Sequence, residues 1–282
     1  MILVTGATGN VGGELVRALA QAGERVRALT RDGASPGLPD GVEQVKGDLN
    51  QPDSLRDALT GVRGLFLLPG YQGMAQTLAH AGQAGVERVA MLSGSSAASG
   101  DTSNAVSAYM IESETTLKES GLAWTIVRSF GFMSNTLRWI PQLAAGDVVR
   151  DAFADVPVAM VDPFDIAAVL AVGLTTDSHQ DNKDNKDQVY TVSGPQPLRP
   201  ADRVRILGEV LGRDLRFEAQ SNAEARAEMS AAMPQAYVDA FFSFYVDGTL
   251  DESTPLPTVA DVTGRPPRAF EQWARAHASA FA

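Results

Sequence analysis

The sequence predicts an α/β fold in which a doubly wound parallel sheet carries a small C-terminal cap. Short apolar runs rich in β-branched residues alternate with helical stretches as far as Ser129. This alternation is typical of parallel strands joined by right-handed helical crossovers. A glycine-rich turn stands between the first predicted strand and the first predicted helix. After Ser129 the alternation loosens, so we expect the later part of the chain to fold back over the carboxyl edge of the sheet.

Each predicted element follows from its pattern of apolar residues. A run that is apolar throughout, such as residues 1–5 (MILVT), suits a strand buried on both faces, and an apolar stripe along residues 15–20 suits a helix. On these grounds strands are predicted at residues 1–5, 25–30, 42–46, 64–68, 88–92, 124–127 and 188–191. Helices are predicted at residues 12–22, 54–59, 73–84, 105–120, 165–174, 200–211, 222–244 with a break at Pro234, and 267–277. Residues 177–188 are predicted to be a solvated loop.

Composition excludes several classes of function. The 282-residue chain is 44% hydrophobic and 20% charged, with no cysteine and only three histidines. Disulfides, iron–sulfur clusters, thiol nucleophiles and a zinc hydrolase site are therefore not expected, and we predict no metal. The net charge of −11 disfavours binding to nucleic acid or to an anionic membrane. Since the chain shows neither a membrane-length apolar run nor a charged leader, we expect it to be cytoplasmic.

Residues 5–12 (TGATGNVG) carry the strongest functional signal. Their three glycines let the backbone turn tightly, approach a pyrophosphate and pack the helix against the strand. The phosphates then accept hydrogen bonds from the free amides at the helix N-terminus. The sequence thus predicts a Rossmann-type dinucleotide site with contributions from Gly6, Thr8, Gly9, Asn10 and Val11. Residues 1–150 are assigned to this NAD(P)-binding domain, to which later segments return, and residues 151–282 mainly to a substrate-binding cap.

The end of the second predicted strand indicates which nucleotide is bound. An acidic residue there would hold the ribose 2′-hydroxyl of NAD, whereas a cation suits the 2′-phosphate of NADP. Because Arg31 follows Thr30 at this point, its guanidinium can bind that phosphate with two hydrogen bonds. The alternative is a surface Arg31 paired with Asp32. We predict that NADP(H) is preferred over NAD(H).

The spacing G-x-x-G-x-x-G and several later motifs resemble the NmrA-like branch of the short-chain dehydrogenase/reductase superfamily. The resemblance extends over nearly the whole chain and rests on residues 6–12, GDL at 47–49, ESGL at 119–122, WTIVR at 124–128, DIA at 165–167 and VY at 189–190. The branch includes type-2 quinone oxidoreductases, azoreductase-like and isoflavone-reductase-like enzymes, redox-sensing regulators and ketoreductases of the simocyclinone type. The resemblance implies further cofactor contacts from Asp48, Leu49, Leu68, Pro69, Ser93 and Phe130.

The catalytic residues of the wider superfamily are incomplete in this chain. Typical members use a Ser, a Tyr and a Lys four residues after the Tyr, and the Tyr donates a proton to the developing alkoxide. With Glu114 fixing the register, the resemblance places Val106 at the Tyr position and Met110 at the Lys position. Ser95 is retained as the catalytic serine. Tyr109, one helical turn after the Tyr position, is either a substitute acid or a residue packed at the helix edge.

An apolar substrate pocket is expected where the sixth strand ends. Residues that follow a strand's carboxyl end face the ligand in folds of this class. We predict substrate contacts from the retained serine and from four residues of this region: Ser95, Phe130, Met133, Asn135 and Met160. The aromatic run at residues 241–245 either walls this pocket or belongs to the core.

A reductase without the Tyr–Lys pair must protonate its product in another way. Hydride transfer to an isolated ketone builds a full alkoxide, whereas a quinone yields a stabilised phenolate, and a ketone beside a phenol carries its own donor. The prediction is therefore NADPH-dependent reduction of a carbonyl on a small quinone-like or polycyclic aromatic substrate, supported by Ser95 or by a substrate hydroxyl. Only four of the 23 basic residues are lysine, a bias of high-GC genomes that favours an aromatic polyketide of antibiotic biosynthesis.

Two other functions remain open from the sequence. A nucleotide-sensing regulator without turnover would fill the expected pocket with side chains and present a surface for a protein partner. Sugar-nucleotide epimerisation or dehydration usually depends on the Tyr and Lys that this chain lacks. The sequence does not predict an oligomeric state.

Overall fold

A computed structural model of the protein describes residues 1–33, 35, 37–175 and 187–281. Within these ranges the strands are β1 (Ile2–Val4), β2 (Val26–Thr30), β3 (Glu43–Lys46), β4 (Gly64–Leu67), β5 (Arg88–Gly94), β6 (Ala123–Ser129), β7 (Val148–Asp151), β8 (Asp187–Val192) and β9 (Arg216–Ala219). Seven of them form one sheet in the order β3-β2-β1-β4-β5-β6-β8, and every neighbouring pair is parallel. The predicted α/β fold with a Rossmann-like parallel sheet is confirmed.

Helices cover both faces of this sheet. They are α1 (Asn10–Gln21), α2 (Met74–Gln83), α3 (Ala105–Lys118), α4 (Ile140–Ala145), α5 (Pro163–Thr175), α6 (Pro200–Leu211), α7 (Asn222–Ala232), α8 (Gln235–Tyr245), α9 (Thr258–Thr263) and α10 (Phe270–Ala276). In β1, Ile2 and Val4 pack with α1 and α5, whereas Leu3 packs with α2 on the opposite face. The fully apolar run at the start of the chain is therefore explained by burial of both faces.

Two predicted elements differ from the structure. The helix expected at residues 54–59 is a short 3₁₀ helix, Pro52–Leu55, followed by turns. Its apolar residues, among them Leu55 and Leu59, are buried but too few to sustain an α-helix. Of the solvated loop predicted at residues 177–188, residues 177–186 lie outside the described ranges, and the last two residues belong to β8 instead.

A cap lies beyond the main sheet and has its own core. Trp139, Val204, Leu207, Phe270 and Trp273 pack together there. The two-stranded parallel sheet of β7 and β9 also belongs to this layer. It was not predicted because its strands, VVRD and RFEA, are short and contain charged residues, so neither forms an apolar run. The predicted break at Pro234 does separate two helices, α7 and α8.

The chain crosses more than once between the two layers. Although α5 and β8 come after residue 150, α5 packs against α1 and β8 extends the main sheet. Strand β7 spans residue 150 and pairs with β9. Asn104 ties the layers together, because its side chain caps α3 and donates to the carbonyl of Ala240 in α8 over 3.2 Å. The division at residue 150 stays a prediction.

Two further properties of the described residues concern membrane-spanning helices and clusters of metal-binding side chains. None of the helices in the described ranges is long and apolar enough to cross a membrane. In the same ranges no three histidine, aspartate or glutamate side chains come together in a way that could hold a metal ion.

Candidate active site

The loop between β1 and α1 turns tightly and packs closely because its glycines lack side chains. Gly6 has a positive φ of 57°, and a Cβ at Gly12 would lie 2.1 Å from the carbonyl oxygen of Gly6. No side chain caps the start of α1, and the amides of Asn10, Val11 and Gly12 find no acceptor in the described part of the chain. Thr8, Gly9 and Asn10 are exposed beside them. This arrangement fits a dinucleotide pyrophosphate.

The turns after β2, β3 and β4 meet at the carboxyl edge of the sheet. Burial raises the pKa of the Tyr71 phenol, while the charge of Arg31 lowers it and that of Asp48 raises it, so both charges lie near this ring. Arg31 is exposed and forms no ion pair with Asp32 or with any other residue in the described ranges. The alternative in which Asp32 neutralises Arg31 is therefore not what the structure shows, and the Arg31 guanidinium has no acidic partner among the described residues.

Three other predicted cofactor residues differ in how accessible their side chains are. Leu68 packs directly over the phosphate loop, since its Cδ1 lies 2.6 Å from the position of a Cβ on Gly6. Pro69, the next residue, is half-buried. Leu49 is 8% exposed and packs in the core between the sheet and α2, so only its backbone remains for a ligand.

The carboxyl end of β5 carries two serines with different partners. Ser93 donates its hydroxyl to Glu114 over 2.8 Å, and Glu114 also binds Arg128 at 2.6 Å and Lys118 at 3.0 Å. The Ser93 hydroxyl is thus part of a buried ion-pair network and is not free for a cofactor. Ser95, two residues later, points away from this network.

Ser95 hydrogen-bonds to a residue that the sequence did not reveal. Its Oγ donates to Oε1 of Glu252 over 2.5 Å, and Oε2 of the same carboxyl accepts the amide of Gly131 over 3.2 Å. Burial raises the pKa of Glu252 although both hydrogen bonds lower it, since the side chain is only 5% exposed. A buried carboxyl whose pKa is raised therefore stands behind the retained serine.

The resemblance assigns the Tyr and Lys positions of the superfamily to Val106 and Met110, whose side chains cannot transfer protons. Met110 reaches the end of β5, with its Cε 3.5 Å from the position of a Cβ on Gly94. Tyr109 lies elsewhere: its ring is 3.3 Å from the position of a Cβ on Gly70, and it packs against Tyr237 with ring centroids 6.3 Å apart. Burial raises the pKa of the Tyr109 phenol. The structure thus places this ring against the loop after β4 and against Tyr237 of α8.

A cavity of about 390 Å³ opens between the end of β6 and the cap. Its walls are mainly apolar and include Phe153, Val156, Met160, Met229, Met233 and Phe241. At one end the lining becomes polar, with Asn135, Arg138, Arg203 and Tyr245. Gly131, whose amide donates to Glu252, also lines this cavity, so hydrogen bonds through Glu252 connect the cavity wall to Ser95.

The predicted substrate residues divide between this cavity and the core. Asn135 and Met160 line the cavity. Phe130 and Met133 are buried but are not among the residues that line it, and Met133 packs with the core of the cap. The aromatic run at residues 241–245 serves both purposes, since its second and fourth residues are buried while its first and last line the cavity.

Phe153 shapes the cavity through a strained backbone. Its φ of 54° is a conformation that bulky residues rarely adopt. The ring packs against Phe242 and Tyr245, with centroids 5.3 Å and 5.0 Å away, and these contacts hold it in place. Strain of this kind tends to persist at ligand-binding sites.

Two residues of the site, Glu252 and Arg203, were not predicted, and only one of them could have been found from the sequence. Glu252 lies 157 residues from its partner Ser95, so no local pattern reveals the pair. Arg203 did leave a signal, because it shares the buried face of α6 with Pro200, Val204 and Leu207. A charged residue within an apolar stripe indicates either a buried ion pair or a ligand.

Comparison with known proteins agrees with this geometry. A family profile described as NAD(P)H-binding matches residues 6–172, more than half of the chain. A (4-alkanoyl-5-oxo-2,5-dihydrofuran-3-yl)methyl phosphate reductase of Streptomyces griseus is 39% identical, with 100% of this chain and 99% of that protein covered. An NAD(P)H azoreductase of Xenophilus azovorans is 35% identical over 100% of this chain and 99% of its own length.

Among solved structures, an NADPH-dependent quinone oxidoreductase of Escherichia coli has a similar fold. Its TM-score is 0.76 at 22% sequence identity, and the match covers 99% of this chain and 100% of that protein. At this identity the likeness concerns the fold.

Proposed function

The chain belongs to the NAD(P)H-binding, NmrA-like family and is an NAD(P)H-dependent oxidoreductase, and from this premise we propose that it transfers hydride from NADPH to a carbonyl of a quinone-like or polycyclic aromatic substrate. The family predicted from the glycine spacing and the later motifs is confirmed. The bound nicotinamide supplies the hydride, and the phosphate loop, Arg31 and the turns after β3 and β4 would hold the nucleotide.

The open cavity beside Gly131 is the observation that carries this proposal. A regulator that only senses the nucleotide would fill this space with side chains, whereas a reductase needs room for an acceptor next to the end of β6. The volume of about 390 Å³ and the mainly apolar walls suit a small, flat organic molecule. We therefore favour turnover over sensing.

Two arguments indicate that the substrate is conjugated: the names of two related reductases, and the way in which a conjugated acceptor stabilises the charge that arrives with the hydride. One relative is named as the reductase of a furanone that bears an alkanoyl group, and the other as an azoreductase. In a conjugated acceptor the charge delivered with the hydride is delocalised, which reduces the need for a strong protein acid. A quinone meets this condition, and so does an aromatic polyketide ketone with a neighbouring phenol.

Ser95 is the proposed proton donor for substrates that have no hydroxyl group beside the carbonyl to donate the proton. The hydride adds to the conjugated system, and the oxygen that gains electron density takes a proton from the Ser95 hydroxyl. Glu252, hydrogen-bonded to that hydroxyl at 2.5 Å, returns a proton to it and is recharged from water. This scheme assigns no proton transfer to Tyr109, whose ring packs against Gly70 and Tyr237 and whose phenol has a pKa raised by burial.

Arg31 is proposed to set the preference for NADPH. A charge-assisted hydrogen bond contributes about 1.5–3 kcal/mol, so the variant R31A is expected to raise the KM for NADPH about tenfold or more. The KM for NADH should change little, because NADH has no 2′-phosphate. Steady-state kinetics with NADPH and with NADH measure both KM values. An equal rise of the KM for the two nucleotides would contradict a role of Arg31 in recognising the 2′-phosphate.

A panel of three acceptors tests the proposed reaction. We expect the protein to oxidise NADPH with a simple quinone and with a polycyclic ketone that has a phenol beside the carbonyl, whereas a plain aryl ketone should be inert. The consumption of NADPH is followed by its absorbance. Tight NADPH binding with no oxidation by any acceptor would favour a sensor, and efficient reduction of the plain ketone would mean that an unrecognised acid completes the site.

A further inference from the structure

Arg203 is a buried cation at the polar end of the cavity. Its side chain lines the cavity and is only 5% exposed, and its Nε and Nη1 atoms have no hydrogen-bond partner among the described residues. The guanidinium lies over the ring of Trp139, 5.0 Å from the ring centroid. Burial, and then the charge of Arg138, lower the pKa of Arg203 to about 10, so it stays charged at neutral pH. A buried, unsatisfied charge is costly unless a partner arrives.

The nearby carboxylate is already occupied. Asp151 binds Arg138 through both oxygens, at 2.9 Å and 2.6 Å, and accepts the indole N–H of Trp139 at 3.0 Å and the amide of Ala152 at 2.9 Å. No ion pair joins Asp151 to Arg203 within the described ranges. This end of the cavity therefore has two arginines and one buried carboxylate.

The other acidic group on the cavity wall lies at its rim. Glu228 is exposed and accepts a hydrogen bond from the side chain of Gln220 over 2.6 Å. It is not among the charges that shift the pKa of Arg203, whereas Asp151 and Tyr245 are. Glu228 thus leaves the positive charge at the closed end uncompensated.

From these contacts we propose that Arg203 binds an anionic oxygen group of the substrate, such as a phosphate monoester or a carboxylate. The apolar wall opposite, with Phe153, Met229 and Met233, would bind an alkyl or aryl portion of the same molecule. The substrate is then an amphipathic anion whose conjugated carbonyl faces Gly131. This inference rests on the proposed function in one respect, namely that this cavity receives the acceptor.

Binding of simple ligands, which requires no turnover, tests this inference. Isothermal titration of the full chain with hexyl phosphate, hexanoate, hexanol and inorganic phosphate separates the contributions of charge and apolar tail. We expect hexyl phosphate or hexanoate to bind about tenfold or more tightly than hexanol, as a charge-assisted hydrogen bond in a buried site implies. Which of the two anions binds better identifies the head group. Equal binding of the alcohol and both anions would overturn the proposal, and so would binding of inorganic phosphate as tight as that of hexyl phosphate, which would show an anion site without the apolar wall.

Variants on one helix give the matched comparison. R203M should abolish the preference for the anions, whereas R205M, which changes an exposed arginine paired with Glu209 on the same helix, should keep it. Because R203M removes a buried charge without a partner, its thermal unfolding midpoint should be equal to or above that of the wild type. R203K, which keeps the charge but not the planar guanidinium, should keep part of the preference. A much lower midpoint for R203M together with an anion preference that R203M retains would assign Arg203 to packing on Trp139 instead.

The outcomes distinguish this inference from the proposed function. Reduction of a neutral quinone by NADPH, with no preference for anionic ligands, would leave the reductase proposal standing and overturn the anion site. Tight binding of hexyl phosphate that depends on Arg203, with no oxidation of NADPH by any acceptor, would retain the anion site and overturn the reductase proposal.

Discussion

The variant S95A is expected to lower kcat for quinone reduction about 100-fold, the usual contribution of a positioned general acid. The effect follows from the position of Ser95, whose Oγ lies at the end of β5 and has the Glu252 carboxyl 2.5 Å behind it. For a polycyclic ketone with its own phenol beside the carbonyl, S95A should lower kcat much less, because the substrate then supplies the proton. Steady-state kinetics with both substrates measure the difference. An equal decrease in kcat for the two substrates would contradict a role of Ser95 in proton transfer.

The variant E252Q tests whether Glu252 supplies that proton through Ser95. Burial raises the pKa of Glu252, and Asp251 adds to this effect, while the bonds from Ser95 and Gly131 oppose it. Since the protonated form is the active one, quinone reduction should decline as pH rises through the pKa of Glu252. In E252Q the rate should be low and this decline should disappear, because the amide has no proton to give.

The stability of E252Q provides a readout that does not depend on turnover. A carboxyl whose pKa is raised in the folded state stabilises the fold below its unfolded pKa, and this stabilisation is lost as pH rises through the folded pKa. The unfolding midpoint of the wild type should therefore fall with pH more steeply than that of E252Q. E209Q, which changes an exposed carboxylate on α6, is the control and should match the wild type in rate. Activity of E252Q close to that of the wild type would show that the carboxyl only holds the loop in place.

The sequence allowed the sheet and the nucleotide site to be predicted because their signals are local. Strands buried on both faces appear as uninterrupted apolar runs, and the phosphate loop is a contiguous motif between a strand and a helix. Arg31 is predicted to bind the 2′-phosphate because it follows its strand directly. The assignment of Val106 and Met110 to the Tyr and Lys positions rests on spacing along a single helix and stays a prediction.

The substrate side of the site could not be predicted, because it depends on contacts between distant parts of the chain. Met133 follows β6, as a pocket residue should, but the 3₁₀ helix from Met133 to Trp139 turns it into the core of the cap. Glu252 comes from a loop near the end of the sequence and reaches Ser95 only in the folded protein. Periodicity indicates that a side chain is buried, but not which distant group it meets.

Replacing Glu114 with alanine is expected to destabilise the fold by about 3 kcal/mol or more, the usual cost of removing one partner from a buried ion pair. Glu114 is 2% exposed and binds Arg128 with both carboxylate oxygens, at 2.8 Å and 2.6 Å. Its loss would leave this arginine, which is 18% exposed, and the Ser93 hydroxyl without their acceptor. Urea unfolding of both proteins measures the change. E112A is the matched control, because Glu112 is exposed on the same helix.

The pH dependence of unfolding identifies the charge of Glu114 as the cause. Burial alone would raise its pKa, but the hydrogen bonds from Arg128, Ser93 and Lys118 outweigh burial and lower it. A carboxyl with a lowered pKa stabilises the fold above its unfolded pKa of about 4.3, and this contribution is lost as pH falls through the folded pKa. The difference in stability between the wild type and E114A should therefore shrink in acid and stay constant near neutral pH. A difference that is independent of pH, or as small as that of E112A, would mean that α3 is held to β5 and β6 by packing alone.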